Sequence, residues 1–202
     1  RVRRWAFELG HQLDVFTTEQ LMQGAQGDVD PWIRAVCAEW LLRTPDPGVL
    51  AALLDAGFVE ARLVAVTRVP DTSLSDDALS VLLVDRAPRV RDQARWRAHR
   101  RGWDVAGFYR RTLTDGTALP SVVVACLSGL AWTGDERDID AAVSRLQHPS
   151  GQVRAAAVGT VEARATSGEA VSEVEMTLDA EEYTVTFADI DGAVFNVRGC
   201  AS

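Results

Sequence analysis

Along most of the chain, apolar residues recur three and four places apart, the spacing of one face of an α-helix. Leu50, Leu53 and Leu54 form one such stripe, and Leu79, Leu82 and Leu83 form another. Clusters of Gly, Pro and Asp, such as Thr44-Pro45-Asp46-Pro47-Gly48, separate the stripes and read as turns between helices. Weak amphipathic helices are predicted over residues 18–25, 47–56, 75–84, 104–113, 135–146 and 168–178.

A stronger pattern alternates with these stretches: an aliphatic or small residue, Arg, two variable positions, then a small residue. It reads Val2-Arg3-Arg4-Trp5-Ala6, Ile33-Arg34-Ala35-Val36-Cys37, Ala61-Arg62-Leu63-Val64-Ala65 and Val90-Arg91-Asp92-Gln93-Ala94. The next copy, Val122-Val123-Val124-Ala125-Cys126, has lost its Arg, and Val153-Arg154-Ala155-Ala156-Ala157 restores it. The copies start 31, 28, 29, 32 and 31 residues apart. The first and fifth positions share one helix face, and the small fifth residue lets a second helix approach. Pro31, Pro88 and Pro120 stand two places ahead of the pattern, where a first-turn Pro costs nothing. Asp30 is available as an N-cap, with Asp28 and Asp85 five places ahead of their copies.

Each unit of about 30 residues is therefore a helical hairpin, and hairpins of this size bury their faces only by stacking. Five to six antiparallel pairs are expected, with Ala6, Cys37, Ala65, Ala94, Cys126 and Ala157 buried at equivalent positions. The first unit starts on its second helix, without a first-helix partner, and the chain has no initiator Met; both point to a fragment. After Asp179 the period changes to two. Tyr183-Thr184-Val185-Thr186-Phe187, Asp191-Gly192 and Ala193-Val194-Phe195-Asn196-Val197 read as a β-hairpin. The expected organisation is an all-α solenoid over residues 1–179 and an extended or hairpin tail over 180–202.

The run Asp85-Arg86-Ala87-Pro88-Arg89-Val90-Arg91-Asp92-Gln93-Ala94 resembles the short HEAT repeats of the phycobilisome-lyase type, and the resemblance extends over residues 1–178. It implies a right-handed α-solenoid of HEAT-like hairpins with the second helices lining the concave side. It also implies that the repeated Arg pairs with the preceding Asp. Asp55 is one place out of register for that role, and the copy at Val122–Cys126 lacks both partners.

Composition narrows the class of function. No apolar run approaches the roughly 20 residues of a membrane span, and the opening Arg1-Val2-Arg3-Arg4-Trp5 is unlike a secretory signal. Three scattered cysteines make no disulfide framework, so a reducing cytoplasm is expected. Cys37 and Cys126 sit at the small position of the repeat and read as packing residues; Cys200 does not fit a prenylation box. His11, His99 and His148 lack paired metal spacing, and no phosphate loop or nucleophile elbow occurs. No metal and no cofactor is implied. The acidic run 135–140 reads as a helix cap.

The net charge of -8 argues against bulk nucleic-acid binding. Every one of the 21 basic residues is Arg, and residues 86–111 hold nine of them against Asp92 and Asp104, a local charge of +7. From Glu162 onward the balance is nine acids to two Arg, which makes the tail a conceivable partner in cis. Trp96, Trp103, Phe108 and Tyr109 interleave with the basic stretch. Guanidinium forks and aromatic faces suit acidic or π-rich ligands. Arg89, Arg95, Trp96, Arg100, Arg101, Trp103, Arg110 and Arg111 are the candidate partner-binding residues. Three readings stand: a solvated helix face paired with acids such as Asp76 and Asp77, a dock for an acidic protein, and a nucleic-acid surface. The function expected is a non-catalytic macromolecular scaffold. The alternative is a HEAT-like DNA-binding enzyme of the alkylpurine glycosylase type, for which Trp103-Asp104 is the pair that invites comparison.

Overall fold

In the computed structural model the backbone is described for residues 2–13, 15–43, 46–165, 171–178, 182–189 and 194–200, and side chains within this set as far as residue 164. Two compact units divide the chain, Arg1–Arg101 and Gly102–Ser202. The body of the chain, through Ala165, is all-α.

The first unit holds α1 (Val2–Gln12), α2 (Thr18–Gly27), α3 (Pro31–Leu41), α4 (Pro47–Leu54), α5 (Val59–Arg68), α6 (Asp76–Leu83) and α7 (Pro88–Arg100). Helices α2 and α3, α4 and α5, and α6 and α7 pack as pairs, while α3, α5 and α7 pack side by side. Local chemistry sets the starts. Thr17 and Gln20 form a reciprocal capping box on α2. Asp30 and Asp46 cap α3 and α4, each followed by a first-turn Pro. Ser75 caps α6. Gly102, with φ of 73°, follows the end of α7, a backbone state that glycine adopts without strain.

The second unit holds α8 (Val105–Thr114), α9 (Pro120–Thr133), α10 (Asp138–Val143) and α11 (Gly151–Ala165). Here α8 packs on α9, α10 on α11, and α9 on α11. Helix α10 is shorter than the 135–146 expected: turns occupy 136–137 before it and 144–147 after it, and the Asp138 carboxylate accepts the Asp135 N–H at 2.8 Å at its start.

The small repeat positions Cys37, Ala65, Ala94, Cys126 and Ala157 are all fully buried. A methyl group on Gly24 of α2 would lie 2.5 Å from Cys37 Sγ, so these two helices touch where both residues are small. Ala6 departs from the expectation: it is exposed, and α1 buries none of its residues. Among the described residues no first helix lies across that face.

The repeated Arg also corrects the pairing expected of it. Each guanidinium donates to a carbonyl six residues back: Arg34 to Asp28 O (2.6 Å), Arg62 to Ala56 O (2.7 Å), Arg91 to Asp85 O (2.8 Å) and Arg154 to His148 O (3.0 Å). The carboxylate partners of the first two come from the following hairpin, not the preceding one. Arg34 reaches Glu60 at 3.0 Å, and Arg62 grips Asp85 at 2.7 and 2.9 Å. A side chain this long reaches the neighbouring loop while its fork still serves its own. Asp55, out of register in sequence, is not needed.

Residues 168–178 were expected to be helical, and this too is corrected: Val171–Leu178 is strand β1. It pairs antiparallel with β2 (Glu182–Asp189), which pairs antiparallel with β3 (Val194–Cys200). From Glu173 the sequence alternates polar and apolar, and a register shift between Val171 and Glu173 interrupts that phase. Val174 stands opposite Phe187, Met176 opposite Val185, and Phe187 opposite Phe195. The predicted turn at Asp191-Gly192 lies outside the described residues.

Candidate functional site

Helix α7 carries most of the basic segment, and its period divides the arginines. Val90, Arg91, Ala94, Arg97 and Ala98 are buried. Arg97 ties α7 to the end of α5, donating to Asp71 at 2.8 Å, Thr67 O at 3.0 Å and Val69 O at 2.6 Å. Burial pushes its pKa below the usual arginine value, against the pull of Asp71. Arg101 donates to the Asp76 carboxylate at 3.2 Å, to Leu74 O at 2.9 Å and to Asp71 O. Arg95 is mostly buried and pairs with Asp92 one turn back.

The opposite face of α7 presents Arg89, Asp92, Trp96, His99 and Arg100, all exposed. Trp96 is 52% exposed, and the Arg100 guanidinium lies 4.7 Å from its ring centroid. Arg100 is 3.9 Å from Asp71, at the edge of ion-pair range. Among the described residues Arg89 has no ion-pair partner. A groove of about 390 Å³ runs between α5 and α7, lined by Leu63, Val64, Thr67, Arg68, Arg89, Asp92 and Gln93. It has half-buried aliphatic side chains on one wall and charge on the other.

No family model and no curated protein matches the chain.

Trp103, Arg110 and Arg111 belong to the second unit. Trp103 is half-buried. Arg110 grips Asp138 with both arms, at 2.7 and 2.9 Å, and reaches Asp135 at 3.0 Å. Asp138 is 2% exposed, and the hydrogen bonds it accepts push the Arg110 pKa up. Asp135 is held well below the usual carboxylate range, first by the Arg137 guanidinium and then by Arg110. The acidic run is thus bound to one of the candidate arginines. Arg111 is exposed and has no ion-pair partner among the described residues. Asp104 accepts the Gly107 N–H at 2.8 Å and caps α8.

Of the eight candidates, Arg89, Trp96, Arg100 and Arg111 are open to a ligand. Arg95, Arg101 and Arg110 are engaged with acids of the chain itself; the pairing of this face with Asp76 was among the sequence readings, whereas the partners Asp92 and Asp138 were not. The signal was the separation: Arg97 and Asp71 are 26 residues apart, Arg101 and Asp76 25, and Arg110 and Asp138 28, each close to one repeat. Cys37 is buried, and its thiol is pushed up to about 12 by desolvation. Among the described residues no three His, Cys, Asp or Glu side chains cluster as a metal site, and no helix is long and apolar enough to cross a membrane.

Proposed function

We propose that the chain is a non-catalytic binding scaffold, a HEAT-like right-handed α-solenoid whose second helices dock an acidic protein partner. The observation that carries this reading is the outer face of α7, where Trp96 is half out of the fold with Arg100 stacked on it, and Arg89, without an ion-pair partner among the described residues, lies beside an aliphatic groove. Trp and Arg are the side chains most often found at the energetic centre of protein interfaces. Leu63 and Val64 supply apolar area next to them. Charge on the rim steers an acidic partner and sets register, while the ring supplies contact area.

The test is charge reversal on the open residues alone, Arg89→Glu with Arg100→Glu, beside Trp96→Ala. Arg101 is left intact because it closes carbonyls of the fold. Partners captured by the wild-type chain are identified, and their affinity is measured across a salt series. The proposal requires the double reversal to weaken binding and salt to do the same over the screening range of about 8–10 Å. Binding indifferent to both would make this α7 face a solvated surface and move the search elsewhere.

A further inference from the structure

Within the second unit a hollow of about 530 Å³ is bounded by α8 on one side and by α10 with its flanking turns on the other. Three guanidinium groups line it, Arg110, Arg137 and Arg145, against one carboxylate, Asp138. Asp138 is buried and already accepts both arms of Arg110 and the Asp135 N–H. Arg110 spends Nε and Nη2 on Asp138 and Asp135, and Arg137 spends the same two atoms on Asp135. Arg145 donates through Nη2 to Leu113 O at 2.8 Å. Among the described residues no acceptor meets Nη1 of any of the three, and no acid pairs with the half-buried Arg145. A partly desolvated charge without a counter-charge costs free energy.

The same hollow marks a break in the repeat. Eight places ahead of the repeat's first residue stand Ala25, Leu53 and Leu82 in the earlier copies, then Thr114 and Arg145. The first three are buried in the core, whereas Thr114 and Arg145 both line the hollow. The apolar rule fails where α10 shortens to six residues, and breaks of this kind concentrate at functional sites.

We infer that this hollow binds a small-molecule phosphate monoester, its oxygens on the guanidinium groups and its apolar body against Leu113 and Ala141. A phosphate monoester presents three acceptor oxygens and a charge of about −1.5 to −2 at neutral pH, so it can accept from three guanidinium groups at once. A carboxylate has only two oxygens to offer. Thr114 and Ser144 donate their hydroxyls to Arg111 O and Ala141 O, which leaves the arginines as the donors for a ligand. Arg137 is 83% exposed and tied to Asp135 two residues away, a surface pair that a doubly charged ligand can displace. The volume falls in the range of small-ligand pockets, roughly 300–1,000 Å³, and exceeds what a bare phosphate fills. The site does not rest on the α7 reading.

The test is isothermal titration of the full chain with four probes: phenyl phosphate, inorganic phosphate, benzoate and a short phosphoserine peptide. Phenyl phosphate is expected to saturate a single site and to bind more tightly than the other three. Arg145→Gln and Arg137→Gln should each weaken it about tenfold or more, the loss of a hydrogen bond to a charged group. Arg137 reaches into solvent, so its variant keeps the test decisive should Arg145→Gln fail to fold. Arg111→Gln, exposed and outside the hollow, removes the same charge from α8 and should leave the affinity unchanged. Absence of saturable phenyl phosphate binding would overturn the inference, as would equal weakening by Arg111→Gln and Arg137→Gln, the mark of a diffuse charge effect. Benzoate or inorganic phosphate binding as tightly would refute the phosphate head or the apolar body. Tighter binding of the phosphoserine peptide would refute the small-molecule source.

Discussion

Removing Arg62 should be among the most damaging single changes outside the apolar core. Its side chain is 6% exposed and that of Asp85 9%. One fork holds both Asp85 oxygens and closes Ala56 O at 2.7 Å. Arg62→Ala strands a buried carboxylate and a buried carbonyl, and loss of one partner of a buried ion pair costs about 3–5 kcal/mol. Asp85 keeps the Ala87 N–H at 2.7 Å, which softens the loss without neutralising the charge. For a chain of this length the fall in Tm should be roughly 6–20 °C, at about 2–4 °C per kcal/mol. The measure is urea unfolding followed by circular dichroism, with Arg68→Ala as comparison. Arg68 and Glu39 form a pair 61% and 46% exposed, of the kind worth about 0–1 kcal/mol. The Arg68 effect should vanish at high salt and the Arg62 effect should persist. The reasoning fails if Arg62→Ala costs no more than Arg68→Ala, or if the double change Arg62→Ala with Asp85→Ala shows no coupling between the two positions.

Gly129→Ala should destabilise the second unit by about 1–3 kcal/mol, because the added methyl would drive into the ring of the fully buried Tyr109; a crystal structure of the variant should show that ring displaced, and an unchanged Tm would refute the clash. Glu60 is depressed chiefly by Arg34 and Asp135 chiefly by Arg137, so their stabilisation is complete above the unfolded carboxylate range of about 3.9–4.3 and is lost as pH falls through the lower folded values. Thermal melts should therefore hold steady near neutral pH and drop in acid, with a shallower drop in Glu60→Gln with Asp135→Asn; an equal drop in that variant would remove these two groups as the cause. Cys37, with its thiol pushed up to about 12, should resist alkylation at pH 8 in the folded chain and react on unfolding; rapid labelling of the native protein would contradict its burial.

The helical body was legible because two periods coincide, three to four residues within a helix and about thirty between hairpins. Pro31, Pro88 and Pro120 marked starts that the structure keeps. The strand at Val171–Leu178 was missed because the break in phase between Val171 and Glu173, where the pairing register shifts, masks the alternation that follows. Ala6 was misjudged because burial depends on a neighbouring helix, and a repeat pattern identifies the face without supplying its cover. At the basic segment, composition counted charge correctly but could not tell exposed guanidinium groups from engaged ones. Arg101 and Arg110 bind acids about one repeat away, so they contribute to cohesion rather than to an open positive field.

Arg97 gives the first unit a temporal order. It closes Thr67 O and Val69 O from 30 and 28 residues downstream, so α5 is not finished when its own residues have been made. A chain emerging from its N-terminus folds in that direction, and the end of α5 stays bonded to water until α7 has formed. Each hairpin is completed by its successor. The N–H groups in the last turn of α5 are bonded within the helix itself, so a synthesis pause after α5 should leave a nascent chain in which that turn frays more readily, because its carbonyls lack the Arg97 donor. The same pause placed after α7 should find that turn protected.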